Sequence, residues 1–306
     1  MSATLLFSQL LNGVQLGVLL FLMAAGLTLV FGIMNFVNLA HGSLYMIGAY
    51  VAAALLAQGV PFVFAGLGAI AATMVLGLVL ERVALAKLYA RDHLYQVLAT
   101  FGLILFFNEV VRYIWGASSV FMNVPDALNG TIEIFGINYP QFRFAIIAVG
   151  LAVGGLLYVV IHQTRLGMLI RAGAANADMV GVLGVNIKLL NTLVFALGAG
   201  LAGLAGFMAG PILAVQPGMG EPVLILTLVV IVTGGIGSIR GAFLGALLVG
   251  VVDTLGRTFL PILFRLVLDA ELAQAAGPAV ASMLIYLLMA VVLALRPQGL
   301  FPVKHG

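Results

Sequence analysis

The chain has 306 residues, of which 63% are hydrophobic and only 8% are charged, and its formal net charge is +3. Soluble domains carry about 25% charged residues, so this composition excludes a soluble globular protein, and the small net charge does not indicate nucleic-acid binding. The chain has no cysteine, which excludes disulfides and cysteine metal ligands. Its first formally charged residue is Glu81. Such long apolar blocks predict membrane-spanning helices rather than the alternating strands of a β-barrel.

Apolar windows predict about nine membrane spans, within a range of about eight to ten, in one all-α transmembrane domain covering residues 1–306. The first window lies in an apolar run, Leu5–Met34, that would measure about 45 Å as one helix, so we expect a break or tilt near Gly26 or Gly32. We expect irregular backbone at the end of the short seventh window, because Gly234–Ser238 is rich in glycine. In chain order the windows are 5–23, 39–57, 62–80, 94–115, 144–161, 189–208, 223–237, 241–260 and 279–295.

The basic residues predict the orientation of these spans, because lysine and arginine collect in cytoplasmic loops. Placing the connections 81–93, 164–188, 238–241 and 296–306 in the cytoplasm leaves few basic residues on the other side. Those outside are Arg112, Arg143, Arg257 and Arg265. This arrangement predicts a cytoplasmic C-terminus and, with an odd number of spans, a periplasmic N-terminus. The N-terminus has no basic residue, so we interpret the first apolar run as a retained span rather than a cleaved signal.

The longest outer connection, 116–141, contains an Asn129-Gly130 turn followed by the alternating run Thr131–Phe135. This pattern predicts a small hairpin, which serves either as a covering loop or as a docking surface. Glycines spaced by four residues let helix backbones approach closely, either within the chain or at a subunit interface. These glycine pairs are Gly150/Gly154, Gly206/Gly210 and Gly241/Gly245.

A polar cluster, Asn35, Asn38, His41 and Ser43, lies between two apolar runs that carry no charge. Amide, imidazole and hydroxyl groups at membrane depth need partners or water, and therefore face a cavity or the bundle interior. In this interpretation the cluster lines a translocation path. A helix cap near Asn38 explains the same residues equally well.

The glycine-rich break contributes the second group of path candidates: Thr233, Gly234, Gly235 and Ser238. Broken helices at membrane depth are tolerated only where the backbone is buried in protein or lines water. The segment does not follow the P-loop pattern and no predicted strand precedes it, so phosphate binding is disfavoured.

The cytoplasmic segment 164–188 predicts a short amphipathic helix. Asn176 can cap its start, Met179, Val180 and Leu183 follow at helical spacing, and Gly184 is placed to end it. Such a helix either lies in the headgroup region or sits in the groove of another protein.

No source of energy for transport is visible in the chain. Each of its three lysines is followed by Leu or His, so there is no Walker A motif. No charged residue sits at the centre of a predicted span, which disfavours an ion-coupled carrier. The pairs Glu109/Arg112 and Asp253/Arg257 are expected to neutralise each other near the outer span ends. The four histidines form no catalytic or metal-ligand pattern, so we expect neither an enzyme nor a cofactor or metal.

Residues 26–50, GLTLVFGIMNFVNLAHGSLYMIGAY, closely resemble the signature of the permeases of branched-chain amino-acid ABC transporters. Segment 164–186 looks like the cytoplasmic coupling loop of that family, and segments 234–242 and 296–301 also match its pattern. The resemblance covers essentially the whole chain. It is closest to the shorter of the two permeases that such systems pair.

The resemblance implies a permease of the bacterial inner membrane that works with a second related permease, two ATP-binding subunits and a periplasmic substrate-binding protein. It implies import of branched-chain amino acids; urea, short amides or aromatic acids are alternatives within the family, and an ion-coupled secondary transporter is the rival class. It also favours docking on the ATPase for the cytoplasmic helix. The coupling candidates are Arg165, Arg171, Asn176, Asp178, Met179, Val180, Leu183 and Gly184.

Overall fold

A computed structural model describes residues 3–134 and 136–302, and the regular structure in these residues is helical apart from one small hairpin. This confirms the predicted all-α fold class. The helices are α1 Ala3–Met34, α2 His41–Ala57, α3 Phe62–Val83, α4 His93–Trp115, α5 Gln141–Gln163, α6 Arg165–Ala175, α7 Ala177–Val182, α8 Ile187–Ala209, α9 Gly220–Gly234, α10 Ile239–Phe264 and α11 Ala270–Leu295. Two short 3-10 helices cover Leu85–Lys87 and Asp126–Leu128.

All nine apolar windows form helices, but they differ in their ability to cross a membrane. Seven helices of the described chain are long and apolar enough to do so: α1, α3, α4, α5, α8, α10 and α11. Helices α2 and α9 have 17 and 15 residues, which corresponds to about 26 and 23 Å, less than the roughly 30 Å of a hydrocarbon core. Helix α9 ends at the predicted glycine-rich break, and α2 follows the irregular connection 35–40.

Helix α1 is continuous over 32 residues, so the break expected near Gly26 or Gly32 is wrong. The backbone leaves the helix only at Asn35, whose φ is +46°. Gly26 has a different role, because a Cβ at this position would lie 2.7 Å from the carbonyl oxygen of Gly198 in α8. The glycine allows two helices to approach closely, and it does not interrupt its own helix.

The chain divides into two compact units, each built from several segments. The first contains the described parts of 1–21, 125–151 and 226–303, and the second contains 22–124 and 152–225. The single transmembrane domain expected over 1–306 stays a prediction.

In the first unit α10 packs on α11 and on the start of α1. A Cβ on Gly17 would lie 2.9 Å from the Ala246 carbonyl oxygen. The unit also contains the predicted hairpin, whose strands β1 (Thr131–Ile134) and β2 (Ile137–Pro140) pair antiparallel. Its closing turn contains Gly136, with φ +77°, whereas Asn129-Gly130 precedes the first strand. Phe135, the last residue of the alternating run, lies outside the described residues.

In the second unit α2, α3 and α8 pack against one another through small residues. A Cβ on Gly48 of α2 would lie 2.5 Å from the Cα of Gly203 in α8, and a Cβ on Gly206 would meet the Tyr45 carbonyl oxygen. On the other side of α8, Gly203 faces the Thr73 side chain of α3. The three helices are therefore in near-backbone contact, the geometry that glycine permits in a membrane.

Candidate functional site

The connection between α1 and α2 buries polar side chains and leaves several of their polar atoms unpaired in the described chain. Asn35 is exposed, but Asn38 and His41 are 0% and 1% exposed. Neither amide atom of Asn38 nor Nε2 of His41 has a hydrogen-bond partner in the described chain, and the same holds for the Thr28 hydroxyl in the facing part of α1. An unpaired buried polar group costs about 1–3 kcal/mol. Such groups are rare in folded proteins and commonly mark functional positions.

Ser43 lies in the first turn of α2 and lines a cleft at the start of that helix. The cleft is formed by Leu39, Gly42, Ser43, Met46, Ile104, Asn108, Gly220, Glu221 and Leu224. It is too narrow here to hold a water molecule. At one edge of the cleft the first turn of α2 lies close to the first residue of α9. A Cβ on Gly42 would lie 2.6 Å from the Gly220 carbonyl oxygen.

The cleft contains a carboxylate that the sequence analysis did not select. Nδ2 of Asn108, in α4, donates a 2.5 Å hydrogen bond to Oε1 of Glu221, in the first turn of α9. Glu221 lies just before the 223–237 window, and Asn108 lies inside the apolar 94–115 window. One feature of the sequence could have identified Glu221 as a candidate site residue, because it is the only acidic residue between Asp178 and Asp253.

The second predicted path segment, Thr233–Ser238, lies in the first unit. Its helix end is hydrogen-bonded by residues 296–301. The backbone N–H groups of Leu300 and Phe301 donate 2.9 Å hydrogen bonds to the carbonyl oxygens of Thr233 and Gly234, the last residues of α9. Residues 296–301 therefore satisfy carbonyls that a helix end leaves unpaired. The Thr233 hydroxyl itself is fully buried and has no hydrogen-bond partner among the residues that the structure describes.

The irregular backbone expected after Gly234 is present. Gly235 has φ +112°, and a Cβ there would lie 2.9 Å from the Phe301 carbonyl oxygen. Ser238 caps α10, because its hydroxyl accepts a 3.1 Å hydrogen bond from the Gly241 N–H. Gly241 in turn packs against Gly234. The two predicted path segments belong to different units: Asn35–Ser43 to the second and Thr233–Ser238 to the first.

The predicted short helix of the 164–188 connection is present as α7. The Asn176 side chain accepts a 2.9 Å hydrogen bond from the Met179 N–H, and Gly184 follows the helix with φ +89°. The longer helix α6, which precedes it, was not predicted. Thr164 caps α6 by accepting a 3.1 Å hydrogen bond from the Gly167 N–H. The connection is thus built of two capped helices rather than one.

Helix α7 has one buried anchor and an exposed apolar surface. Val180 is 7% exposed, whereas Met179, Val182 and Leu183 are 60%, 83% and 77% exposed. We call these three the α7 apolar surface. Val182 was not among the residues predicted from the sequence. Asp178 is also exposed.

The two basic candidates of this connection lie on α6. Arg165 is exposed, and Nη1 of Arg171 donates to the carbonyl oxygen of Ile161 near the end of α5. A Cβ on Gly173 would touch Leu190 of α8 at 3.3 Å and Ile33 of α1 at 3.8 Å. Gly173 of α6 thus faces the end of α1, where Ile33 lies two residues before Asn35.

A buried carboxylate network lies near the end of α3, and it too was missed by sequence reasoning. Glu81 is 2% exposed, and it accepts hydrogen bonds from the Tyr89 hydroxyl at 3.0 Å and the Thr192 hydroxyl at 2.8 Å. Burial and the neighbouring carboxylate raise the pKa of Tyr89, so the phenol remains a donor at neutral pH. The Tyr89 ring packs edge-on against Phe36, with 5.3 Å between ring centroids. The network therefore reaches the α1–α2 connection.

Both predicted ion pairs are confirmed. Nη1 of Arg112 lies 2.8 Å from Oε1 of Glu109, and Nε of Arg257 lies 2.7 Å from Oδ1 of Asp253. The first pair is exposed, while the Asp253 side chain is 7% exposed. No group of three or more metal-ligating side chains occurs in residues 3–134 and 136–302.

The described chain has seven long apolar helices and two short ones beside buried breaks. Polar groups at those breaks have no partner in the described residues. Together these features define a polytopic membrane transport protein. Comparison with known proteins gives the family. The profile described as "Branched-chain amino acid transport system / permease component" matches residues 9–293. The chain belongs to this family of ABC-transporter permeases. It is therefore a multi-pass permease of the inner membrane, and its membership implies ATP-binding and substrate-binding partners.

Relatives from bacteria and archaea support the assignment. The chain is 33% identical over 267 residues to the "High-affinity branched-chain amino acid transport system permease protein LivH" of Salmonella typhimurium, covering 82% of this chain and 86% of the relative. It is 34% identical over 268 residues to the corresponding protein BraD of Pseudomonas aeruginosa, covering 81% and 85%. A probable branched-chain amino acid permease of Methanocaldococcus jannaschii is 26% identical over 249 residues, covering 78% and 76%. A search of solved structures gives no significant match.

Proposed function

We propose that this chain carries branched-chain amino acids from the periplasm to the cytoplasm as one of two related permeases, driven by two ATP-binding subunits and supplied by a periplasmic binding protein. The relatives are named for branched-chain amino acid transport, which supports this substrate over urea, short amides or aromatic acids. The basic connections support a cytoplasmic C-terminus and a periplasmic N-terminus.

The observation that carries the proposal is the α7 apolar surface. A six-residue helix with both ends fixed by capping presents three exposed apolar side chains on a connection rich in basic residues. Apolar side chains on a rigid helix are the usual anchors for a groove in a partner protein. We infer that the ATP-binding subunit grips this surface, with Arg165 and Asp178 as polar contacts at its rim.

The contacts of α6 and α7 supply a route from this surface to the path. Helices α6 and α7 both contact α8, and Gly173 of α6 faces Ile33 near the end of α1. A displacement of α7 would therefore reach the α1–α2 connection, where Asn38, His41 and Ser43 are buried. In the proposed mechanism nucleotide-driven movement of the partner shifts this connection and exposes these groups alternately to the two sides of the membrane.

The test replaces the α7 apolar surface by serine (Met179→Ser, Val182→Ser and Leu183→Ser together) in the complete reconstituted transporter. We expect ATPase stimulation by the loaded binding protein to fall roughly 10-fold or more, because buried apolar anchors dominate such interfaces, while membrane insertion is retained. The control is Leu266→Ser with Val267→Ser; these side chains are 81% and 88% exposed, on the α10–α11 connection. Full stimulation in the triple variant would refute the coupling role.

A further inference from the structure

The cleft at the start of α2 combines one carboxylate with an apolar lining. We propose that Glu221 binds the α-ammonium group of an amino acid in transit, and that the surrounding side chains accept its aliphatic side chain and its carboxylate. This inference rests on the proposed transport of amino acids, and it adds a specific contact for the substrate.

Glu221 has the capacity for such a ligand. An ionised carboxylate offers about four acceptor positions, and its only described hydrogen bond is the one from Asn108. It takes part in neither of the two ion pairs of the described chain. Its place in the first turn of α9 stabilises a negative charge, because the N-terminal end of a helix carries a partial positive charge. The site therefore holds an anion ready for a cation.

Another part of the cleft lining suits a carboxylate. Ser43 is 4% exposed and lines the cleft, and its hydroxyl makes no hydrogen bond within the described residues, so it can donate to a ligand. It lies in the first turn of α2, and Ala40 gives that helix no side-chain cap. A short helix whose N-terminus opens into a path is a common binding site for a substrate carboxylate in transporters.

The remaining lining is aliphatic. Leu39, Met46, Ile104 and Leu224 come from four different segments around the carboxylate and the hydroxyl. A metal ion or a simple amine would gain nothing from these side chains, whereas a leucine-type side chain would bury its apolar surface against them. The chemistry of the cleft thus matches an aliphatic zwitterion. Since the cleft is too narrow for water here, α2, α4 and the start of α9 must separate to admit the substrate.

The experiment follows photoleucine, the diazirine analogue of leucine, through the complete transporter reconstituted in vesicles. Irradiation during ATP-driven uptake should label peptides that contain Leu39–Met46, Ile104 or Leu224, identified by mass spectrometry. Glu221→Gln should lower this labelling, and kcat/KM for leucine uptake, by about 10- to 100-fold, the range expected for loss of a charged hydrogen bond. Glu221→Asp should recover part of both. Glu109→Gln removes an exposed carboxylate next to Asn108 and should leave both unchanged.

The outcomes separate this inference from the proposed function. If leucine uptake requires ATP but the label falls elsewhere, or Glu221→Gln transports normally, the ammonium site is wrong while the importer assignment stands. If the wild-type transporter moves no leucine or photoleucine, the proposed substrate fails and the inference fails with it. Labelling of the unmodified wild-type protein decides the location even if Glu221→Gln does not insert into the membrane.

Discussion

The contact between Gly48 and Gly203 allows a quantitative test of how α2 and α8 associate. In Gly48→Ala the new Cβ would lie 2.5 Å from the Cα of Gly203 and 2.6 Å from its carbonyl oxygen. Carbon atoms in favourable contact are about 3.5–4.0 Å apart. The two helices must therefore separate by about 1 Å. Gly203 cannot retreat freely, because its other side faces Thr73 of α3.

The expected cost follows from two opposing effects. Inserting a methyl group into a packed site costs about 1–3 kcal/mol, and this site belongs near the upper limit because the atoms in the way are backbone. Replacing glycine by alanine within a helix returns about 1 kcal/mol. Gly48→Ala should therefore lower the free energy of unfolding by about 2 kcal/mol, a change of roughly 30-fold in the equilibrium constant.

A matched control lies on α4. A Cβ on Gly102 would have no other atom within 4 Å, so Gly102→Ala gains the helix preference without a clash and should be neutral or stabilising by up to about 1 kcal/mol. Unfolding in mixed micelles by increasing fractions of SDS measures both variants. We expect the two to differ by about 2–3 kcal/mol. Equal stability would show that α2 and α8 do not depend on near-backbone contact.

Two further predictions concern buried polar groups and the 296–301 segment. Thr192→Val removes one of the two donors to the buried carboxylate of Glu81 and should cost about 1.5–3 kcal/mol of unfolding free energy in the same assay, with Thr192→Ser near wild type; a neutral valine variant would contradict the network. Gly299→Ala places a Cβ 2.6 Å from the Gly235 Cα at φ +83° and should speed amide exchange of the residues that follow it. Gly59→Ala, at φ +82° with no atom of the described chain within 4 Å, introduces the same backbone strain without the clash. It should therefore speed amide exchange of the residues after position 59 by a smaller factor. An equal acceleration after both positions would argue against the contact between Gly299 and Gly235.

The sequence predicted the helices well but was misleading about the glycines within them. Every apolar window is a helix, because hydrophobic length is a local property of the chain. The meaning of Gly26 is not local. Its partner, Gly198, is far away in sequence, so nothing near Gly26 distinguishes a break from a close contact. Asn35 starts the break instead, a position that a search for glycine overlooks.

The site shows the same division between local and distant effects. Asn176 and Gly184 were recognised because a cap involves residues within one turn of the helix. Asn38 and His41 were recognised as polar groups between apolar runs. Glu221 was not, because its significance depends on Asn108, which lies 113 positions away in the chain. Single-sequence patterns contain no information about that pairing.

The hydrogen bonds that Leu300 and Phe301 give to the end of α9 have a consequence for biosynthesis. During translation, α9 emerges from the ribosome before α10 and α11, and residues 296–301 follow both. Until they arrive, the carbonyls of Thr233 and Gly234 lack the donors that they have in the finished fold. The bend after α9 is therefore completed among the last steps of insertion, and a nascent chain that stalls within α11 would expose an unfinished helix end to the quality-control proteases of the membrane.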